Sequence, residues 1–495
     1  VLVNVKLNNV PTNFRAKIED GSSLNNDRLF RNEGNGKFTD VTIQSGIRYE
    51  GYGLGLAIQD FNNDDWPDIY VSNDYLSNDI LYLNNKNGTF TNTTSDLLGH
   101  QSQFSMGNDV ADINNDAQPD LITLDMLPEN SERKKTTIGN KSYQNNINNE
   151  NFNYQYQYVR NMLQVNNGAG AAVKFSEIGQ LAGVYQTEWS WSPLFADFDN
   201  DGFRDLVITN GFPKDITDKD FANYRAQLIN IAPPAFLVDS IPVVKIPNYA
   251  FKNNGDLTFT DVSNPWGLNQ ASFSNGAAFA DLDNDGDLDY VVNNINGAAF
   301  VYENRLNQKQ PVEAHFLRVA FEGPSQNVNG IGTKVYAYYG GQQQYYEHYP
   351  FRGYQSTVED AAHFGLGTQT VVDSLKIVWP DGMQQVLNTV KVDQKLSVRH
   401  SDAVSKNTSG KKFEKMLSEV SLESGIQFKH QQKDIIDFNV QRTIPHKFSQ
   451  FGPVLTVGDI TNDGLDDLYV GGSTGLEGQF FIQTSNGKFV PGQKI

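Results

Sequence analysis

The 495-residue chain contains no cysteine. Disulfide stapling, thiol catalysis and thiolate metal sites are thereby excluded, so any cross-link in the fold must use something other than sulfur. No run approaches 18 apolar residues, so no segment reads as a membrane-spanning helix. Positive charge is scarce: 39 Lys and Arg stand against 58 Asp and Glu, for a net charge of −19. Nucleic-acid binding is driven by Lys and Arg neutralising phosphates, and this balance argues against it. Seven histidines (His100, His315, His348, His363, His400, His430 and His446) form no H-E-x-x-H pattern, and neither a G-x-S-x-G elbow nor a Walker loop is present. Those absences remove the common signatures of metalloprotease, hydrolase and P-loop chemistry. A composition 38% hydrophobic and 12% aromatic suits a globular β protein long enough for several domains.

What is present, five times, is a nine-residue acidic loop: Asp60-Phe-Asn-Asn-Asp-Asp-Trp-Pro-Asp68, Asp112-Ile-Asn-Asn-Asp-Ala-Gln-Pro-Asp120, Asp197-Phe-Asp-Asn-Asp-Gly-Phe-Arg-Asp205, Asp281-Leu-Asp-Asn-Asp-Gly-Asp-Leu-Asp289 and Asp459-Ile-Thr-Asn-Asp-Gly-Leu-Asp-Asp467. Side-chain oxygens at positions 1, 3, 5 and 9, with the main-chain carbonyl at position 7, can converge on a hard cation that takes oxygens at about 2.3–2.6 Å. The candidate ligands are Asp60, Asn62, Asp64, Trp66 and Asp68; Asp112, Asn114, Asp116, Gln118 and Asp120; Asp197, Asp199, Asp201, Phe203 and Asp205; Asp281, Asp283, Asp285, Asp287 and Asp289; and Asp459, Thr461, Asp463, Leu465 and Asp467. The expected ion is Ca²⁺, in up to five sites. Five such ions would bring the net charge from −19 to −9, so the acidity reads mainly as a metal-site feature.

An EF-hand opens the same way but closes with a bidentate Glu at position 12 and lies between helices. Position 12 here is Val71, Thr123, Ile208, Val292 or Val470, each inside a β-type run. The loops therefore join strands. A second signature accompanies them: a short strand, an Asn/Gly turn, then Phe, as in Leu29 to Phe38, Leu81 to Phe90, Leu163 to Phe175, Phe251 to Phe259 and Phe481 to Phe489. Asn-Gly between strand-like runs is a strong hairpin signal. Two hairpins per unit make four strands, and four-stranded units at a regular period predict β-propeller blades.

These residues resemble the FG-GAP/VCBS repeat, whose calcium-loop blades occur in integrin α subunits. The resemblance covers most of 27–300 and resumes over 413–495. A third stretch resembles the ASPIC/UnbV domain, through Asn329-Gly-Ile-Gly-Thr-Lys-Val335, Gly353-Tyr-Gln-Ser356, His363-Phe-Gly-Leu-Gly367 and Val372-Asp-Ser-Leu-Lys-Ile-Val-Trp-Pro-Asp-Gly382. The expected fold is all-β. Blades occupy 1–304, with insertions at 128–160 and 213–247; a separate small ASPIC/UnbV-like β domain occupies 305–400; a linker runs over 401–412; and further blades begin at 413–495. Val1-Leu-Val-Asn-Val-Lys6 lacks the shape of a signal peptide, and both ends fall inside repeats. A piece of a longer protein is expected, with its signal or lipid anchor outside this chain.

The loops are graded. Loops three and four carry four ligand-position carboxylates and Gly202 or Gly286 at the sharp turn, where positive φ suits glycine, and should bind tightest. Loop five has Thr461 at position 3. Loop one has Asp65 at the turn and loop two Ala117, which tolerates left-handed backbone poorly, so loop two should be weakest. Such loops are usually of extracellular affinity, which predicts an exported protein.

For catalysis the sequence offers little. A carboxylate holding Ca²⁺ is a poor general acid, and His363, beside Phe364 between strands, reads as a structural histidine. Surfaces for binding are sought in the insertions, because loops on a rigid scaffold tend to carry function. The first offers Tyr143 and Tyr154-Gln-Tyr-Gln-Tyr158, suited to sugar or peptide contact but read here as one more strand. The second holds an expected helix, Asp218 to Asn230, capped by Asp218. Trp189 and Trp191 share one strand face, read as packing between blades rather than a ligand platform.

The stretches Asn161 to Asn167, Phe175 to Gly183, Trp189 to Asp197 and Ser272 to Ala278 resemble VCBS-repeat surface lipoproteins that occur with SusC/SusD-like outer-membrane systems. That resemblance implies a non-catalytic, calcium-stabilised binding or assembly component on the extracellular face of the outer membrane, an accessory of a nutrient-uptake complex. Its implied partners are SusC/SusD-like or other surface proteins, with glycan or peptide as further ligands and no nucleic acid. The alternative is an extracellular polysaccharide-degrading enzyme on the same scaffold.

Overall fold

The computed structural model describes residues 17–75, 77–137, 143–168, 173–309, 314–405, 418–433, 435–441, 448–449 and 452–495. The expected N-terminal segment Val1 to Lys6, His446 and most of the linker, 406–412, lie outside them. The chain divides into two compact units, Val1–Asn407 and Thr408–Ile495. Strands dominate both, and among the described residues no helix is long and apolar enough to cross a membrane.

The first unit opens with a hairpin of β1 (Phe30–Gly34) and β2 (Lys37–Asp40). Sheet I follows as an antiparallel meander of β3 (Gly53–Gln59), β4 (Asp68–Asn73), β5 (Ile80–Asn84) and β6 (Phe90–Asn92). After β7 (Gln101–Ser102), sheet II is built from β8 (Asn108–Ala111), β9 (Asp120–Thr123), β11 (Met162–Asn166) and β12 (Phe175–Glu177), with β10 (Gln157–Tyr158) pairing parallel to β7. Sheet III comprises β13 (Ser190–Ala196), β14 (Asp205–Asn210), β15 (Tyr249–Asn253) and β16 (Phe259–Asp261). Sheet IV has three strands, β17 (Ser274–Ala280), β18 (Asp289–Asn294) and β19 (Phe300–Tyr302). Each acidic loop joins the first strand of its sheet to the second.

First strands neighbour one another in chain order, β3 against β8, β8 against β13 and β13 against β17. The core lies between successive sheets: Ala57, Tyr70 and Leu81 meet Val110 and Leu121; Leu163 and Ile122 meet Phe195 and Ile208; Leu194 and Val207 meet Phe279 and Tyr290. With both faces covered, β13 is buried at all seven positions, so it reads as an apolar run rather than an alternating one.

The insertions differ from expectation in one case. The first is mostly helical, with Ser131–Thr136 capped by the Asn130 side chain and Tyr143–Asn151 beyond it; only Gln157 and Tyr158 form a strand. Its Asn and Gln lack the apolar periodicity from which a helix is read. In the second, Asp218 caps Lys219–Leu228 by accepting the Phe221 N–H at 2.7 Å, and a second helix spans Pro234–Asp239.

Residues 315–405 form β20 (His315–Glu322), β21 (Lys334–Tyr339), β22 (Gln342–Glu347), β23 (Phe351–Arg352), β24 (Ser356–Thr357), β25 (Ala362–Gly367), β26 (Val371–Val378), β27 (Met383–Lys391), β28 (Gln394–Arg399) and β29 (Val404–Ser405). A three-stranded sheet, β25-β20-β28, packs on a five-stranded one, β22-β21-β26-β27-β29, around Leu317, Val335, Phe364, Leu375 and Trp379. This cap has its own core, yet it is not set apart from the sheets. Its β23–β24 hairpin lies against β3, β8 and β17. There Arg352 makes a bidentate pair with the buried Asp109 of β8, at 2.7 and 2.6 Å, and donates to the Phe195 carbonyl of β13 at 2.9 Å.

In the second unit a single antiparallel sheet is described, β30 (Leu455–Gly458), β31 (Asp467–Val470), β32 (Gln479–Gln483) and β33 (Phe489–Lys494). Loop five joins its first two strands.

Candidate functional site

The five loops adopt one hydrogen-bonded turn. At position 1, Asp60, Asp112, Asp197, Asp281 and Asp459 each accept the position 5 N–H on Oδ1 at 2.9–3.2 Å and the position 6 N–H on Oδ2 at 2.7–3.2 Å. At position 5, Asp64, Asp116, Asp201, Asp285 and Asp463 accept the position 7 N–H of Trp66, Gln118, Phe203, Asp287 and Leu465. At position 9, Asp68, Asp120, Asp205, Asp289 and Asp467 take the position 2 N–H on one oxygen. The other oxygen takes a main-chain N–H from the third strand or just past it: Asn84, Asn166, Asn253, Asn304 or Gln483. Position 9 thus pins the loop to its own sheet, a role the spacing alone does not reveal.

The turn needs left-handed backbone twice. Position 6 lies at φ of 70°, 64°, 97°, 96° and 85° for Asp65, Ala117, Gly202, Gly286 and Gly464, so Ala117 is held where a Cβ is disfavoured. Position 4 is left-handed as well, and asparagine fills it in all five copies: Asn63, Asn115, Asn200, Asn284 and Asn462. That repetition is visible in the sequence, and it marks residues with a second duty. Asn63 donates to the Ala117 carbonyl of the next loop, Asn115 to that of Gly202 and Asn200 to that of Gly286. A parallel series runs from the third strands: Asn166, Asn253 and Asn304 donate to the carbonyls of Phe61, Ile113 and Phe198 in the preceding loops. Loops one to four are thereby chained in order.

Burial pushes the carboxyls of Asp68, Asp112 and Asp287 up to about 7, and lifts Asp197, Asp120 and Asp205 well above the usual range. Without an opposing cation, these groups resist ionisation. Position 3 then separates the loops. Asn62 and Asn114 each donate Nδ2 to the position 5 carboxylate at 3.0 Å, joining positions 3 and 5 within loops one and two. In loops three and four Asp199 and Asp283 stand there instead, and Asp199 Oδ1 and Asp285 Oδ2 are buried without a hydrogen-bond partner. Carboxylate oxygens of Asp197, Asp199 and Asp205 lie within 4.8 Å of one another, as do those of Asp281, Asp283 and Asp285. An all-oxygen, carboxylate-rich set with unpaired buried lone pairs fits a hard divalent cation rather than one preferring N or S ligands.

The cap covers the loop ends. Glu347 accepts the Asp60 N–H, Gln343 donates to the Asn115 carbonyl, and Lys334 and Arg318 pair with Asp60 and Asp281. His363 is buried, and burial with the nearby Arg204 and Arg318 lowers it to about 3, so its ring is neutral. Asn200 spends its amide nitrogen on carbonyls, so its Oδ1 accepts from His363 Nε2 at 2.7 Å. Gly365 follows two residues later because a Cβ there would lie 2.1 Å from Asp197 Oδ2 and 2.4 Å from Asn200 Cα. The His363-Phe-Gly-Leu-Gly367 motif is therefore a docking surface for loop three. Each of the other described histidines also has a hydrogen-bonding partner: His100 with Glu177, His315 with Asp393, His348 with Asp360, His400 with Asp381 and His430 with the Gly471 carbonyl.

The tryptophan pair belongs to the packing between sheets II and III. Trp191 is buried and donates Nε1 to the Gly211 carbonyl at 2.9 Å, while half-buried Trp189 stacks on Phe212 with centroids 4.9 Å apart. Tyr354, at the tip of the cap hairpin, lies 5.0 Å from Trp191.

A family model described as FG-GAP-like repeat matches residues 20–71, 60–123 and 247–292, and one described as ASPIC and UnbV matches 323–405. The chain carries FG-GAP-like repeats and an ASPIC/UnbV domain. Loops one, two and four fall within the repeat matches; loops three and five lie outside them and have the same turn. No curated protein matches this chain. Among solved structures, the V. cholerae biofilm matrix protein Bap1 is 11% identical, over 97% of this chain and 79% of that one. The TM-score of that match is 0.20.

Proposed function

We propose that this chain is a non-catalytic, calcium-stabilised binding or assembly component at the bacterial cell surface, an accessory of an outer-membrane nutrient-uptake complex. In this reading the four sheets are blades of a β-propeller, supported by the chain-order packing of β3, β8, β13 and β17 and by the asparagine links between successive loops. The observation that carries the proposal is the loop turn itself. Its carboxylates organise main-chain N–H groups, and in loops three and four they face one another at cation-binding distances, which fits the work of a scaffold. Ligand contact then falls to the insertions, where the two helices of 213–247 expose Tyr224, Phe236 and Val238.

The test is purification of the full-length protein with calcium from the surface of its source bacterium, followed by identification of what accompanies it. An outer-membrane transporter and its lipoprotein partner are the expected companions. Polysaccharide cleavage that survives Asp199→Asn and other single cage substitutions would overturn the reading in favour of an enzyme.

A further inference from the structure

We propose that Lys334 and Arg318 are built-in cations of loops one and four, so that a divalent ion enters either loop in competition with the cap's hold on it. This rests on the calcium reading above.

Lys334 reaches from β21 to Asp60 Oδ2 and to Asp65 Oδ1, the latter at 3.2 Å. Arg318 reaches from β20 to Asp281 and to Glu359 of the cap. Asp60 and Asp281 occupy position 1, the carboxylate that organises each turn and would face the ion. Both cationic side chains are enclosed, at 8% and 4% exposure, so neither can swing into water when an ion arrives. A fixed positive charge sharing a carboxylate with a divalent ion opposes it in a poorly screened site.

The other two loops of this unit differ. In loop three Lys252 pairs with Asp199 and Asp201, but its stem is one-third exposed and can carry the ammonium out to solvent. Loop two has no ion pair among the described residues; the cap touches it through Gln343 and the Asn115 carbonyl. The loops therefore fall into two classes. Loops two and three take an ion without displacing a cap cation, whereas loops one and four each share a carboxylate with one. Since such coupling is reciprocal, an ion in loop one or four weakens the docking of the cap. Ligand quality alone places loop four at the top with loop three, and Arg318 moves it down.

The test is calorimetric calcium titration of the whole chain as wild type, Lys334→Met, Lys334→Arg and Lys252→Met. Lys334→Met should tighten one class of sites on the order of tenfold. The tightened class should vanish on adding Asp64→Asn, which locates it in loop one. Lys334→Arg should restore the wild-type isotherm, and Lys252→Met should change affinity less than Lys334→Met. If Lys334→Met folds only with calcium, the same comparison is read by extracting the ion with a fluorescent chelator: harder extraction supports the proposal and unchanged extraction overturns it. Unchanged or weaker binding in the titration overturns it too, leaving the calcium reading intact. A wild-type chain that takes up no calcium overturns both.

Discussion

Loop three and loop five share a turn and almost nothing else. Asp197 and Asp459 accept the same two main-chain N–H groups, through the same oxygens, at distances within 0.1 Å of each other. Asp197 is buried beneath the cap beside Asp199 and Asp201, and burial raises its carboxyl far above the ordinary range. Asp459 is exposed, and the N–H groups of Gly464 and its neighbours hold its carboxyl below that range. The nine-residue sequence is thus sufficient to build the turn, while its surroundings decide whether the carboxylates need an ion to remain charged.

The largest separation of the two settings is expected from pH. For Asp68 and Asp112 the folded carboxyls lie at about 7 against an unfolded value of about 3.9. The folded state then binds more protons between those values, so stability is full below about 4 and is lost as pH rises to about 7. Each tenfold difference in acid strength is worth about 1.4 kcal/mol, so the ion-free first unit should lose several kcal/mol across that window by chemical denaturation. The second unit should show the opposite slope, because Asp459 is lowered. Calcium should flatten the first slope, and a flat ion-free profile would break the comparison.

Next is the cap hairpin. Arg352→Met leaves Asp109 buried and unpaired, which should cost about 3–5 kcal/mol in the first unit and nothing in the second. Smaller still, Asn200→Ala removes the acceptor of His363 and the link to loop four, for about 1–3 kcal/mol. The matched Asn462→Ala in loop five should cost at most about 1 kcal/mol, the left-handed preference alone; equal losses would show that the chaining contributes nothing. The smallest effect is a gain: Ala117→Gly should stabilise loop two by about 1 kcal/mol in thermal melts, because φ of 64° suits glycine.

These contrasts also mark what a reader of the sequence can see. Loop, hairpin and Asp218-capped helix are local, each set by residues within a dozen positions, and their spacing announces them. The asparagine at position 4 was equally visible, though its link from one loop to the next is not a spacing. The docking of the cap was hidden, because Arg352 meets Asp109 across 243 positions and His363 meets Asn200 across 163. No periodicity encodes such pairs. The first insertion was legible only in part: its Tyr-Gln alternation ends in the short strand Gln157–Tyr158, while the Asn-rich helix before it lacks the apolar periodicity from which a helix is read.

The central claim is that ions held by the capped loops stabilise the first unit, and thermal unfolding of the whole chain in calcium and in chelator tests it most directly. Each occupied site adds about 2.7 kcal/mol at a hundredfold excess over its Kd. The first unit's transition should therefore fall by several degrees in chelator, and by more than the second unit's. Identical melts in calcium and chelator would contradict the account.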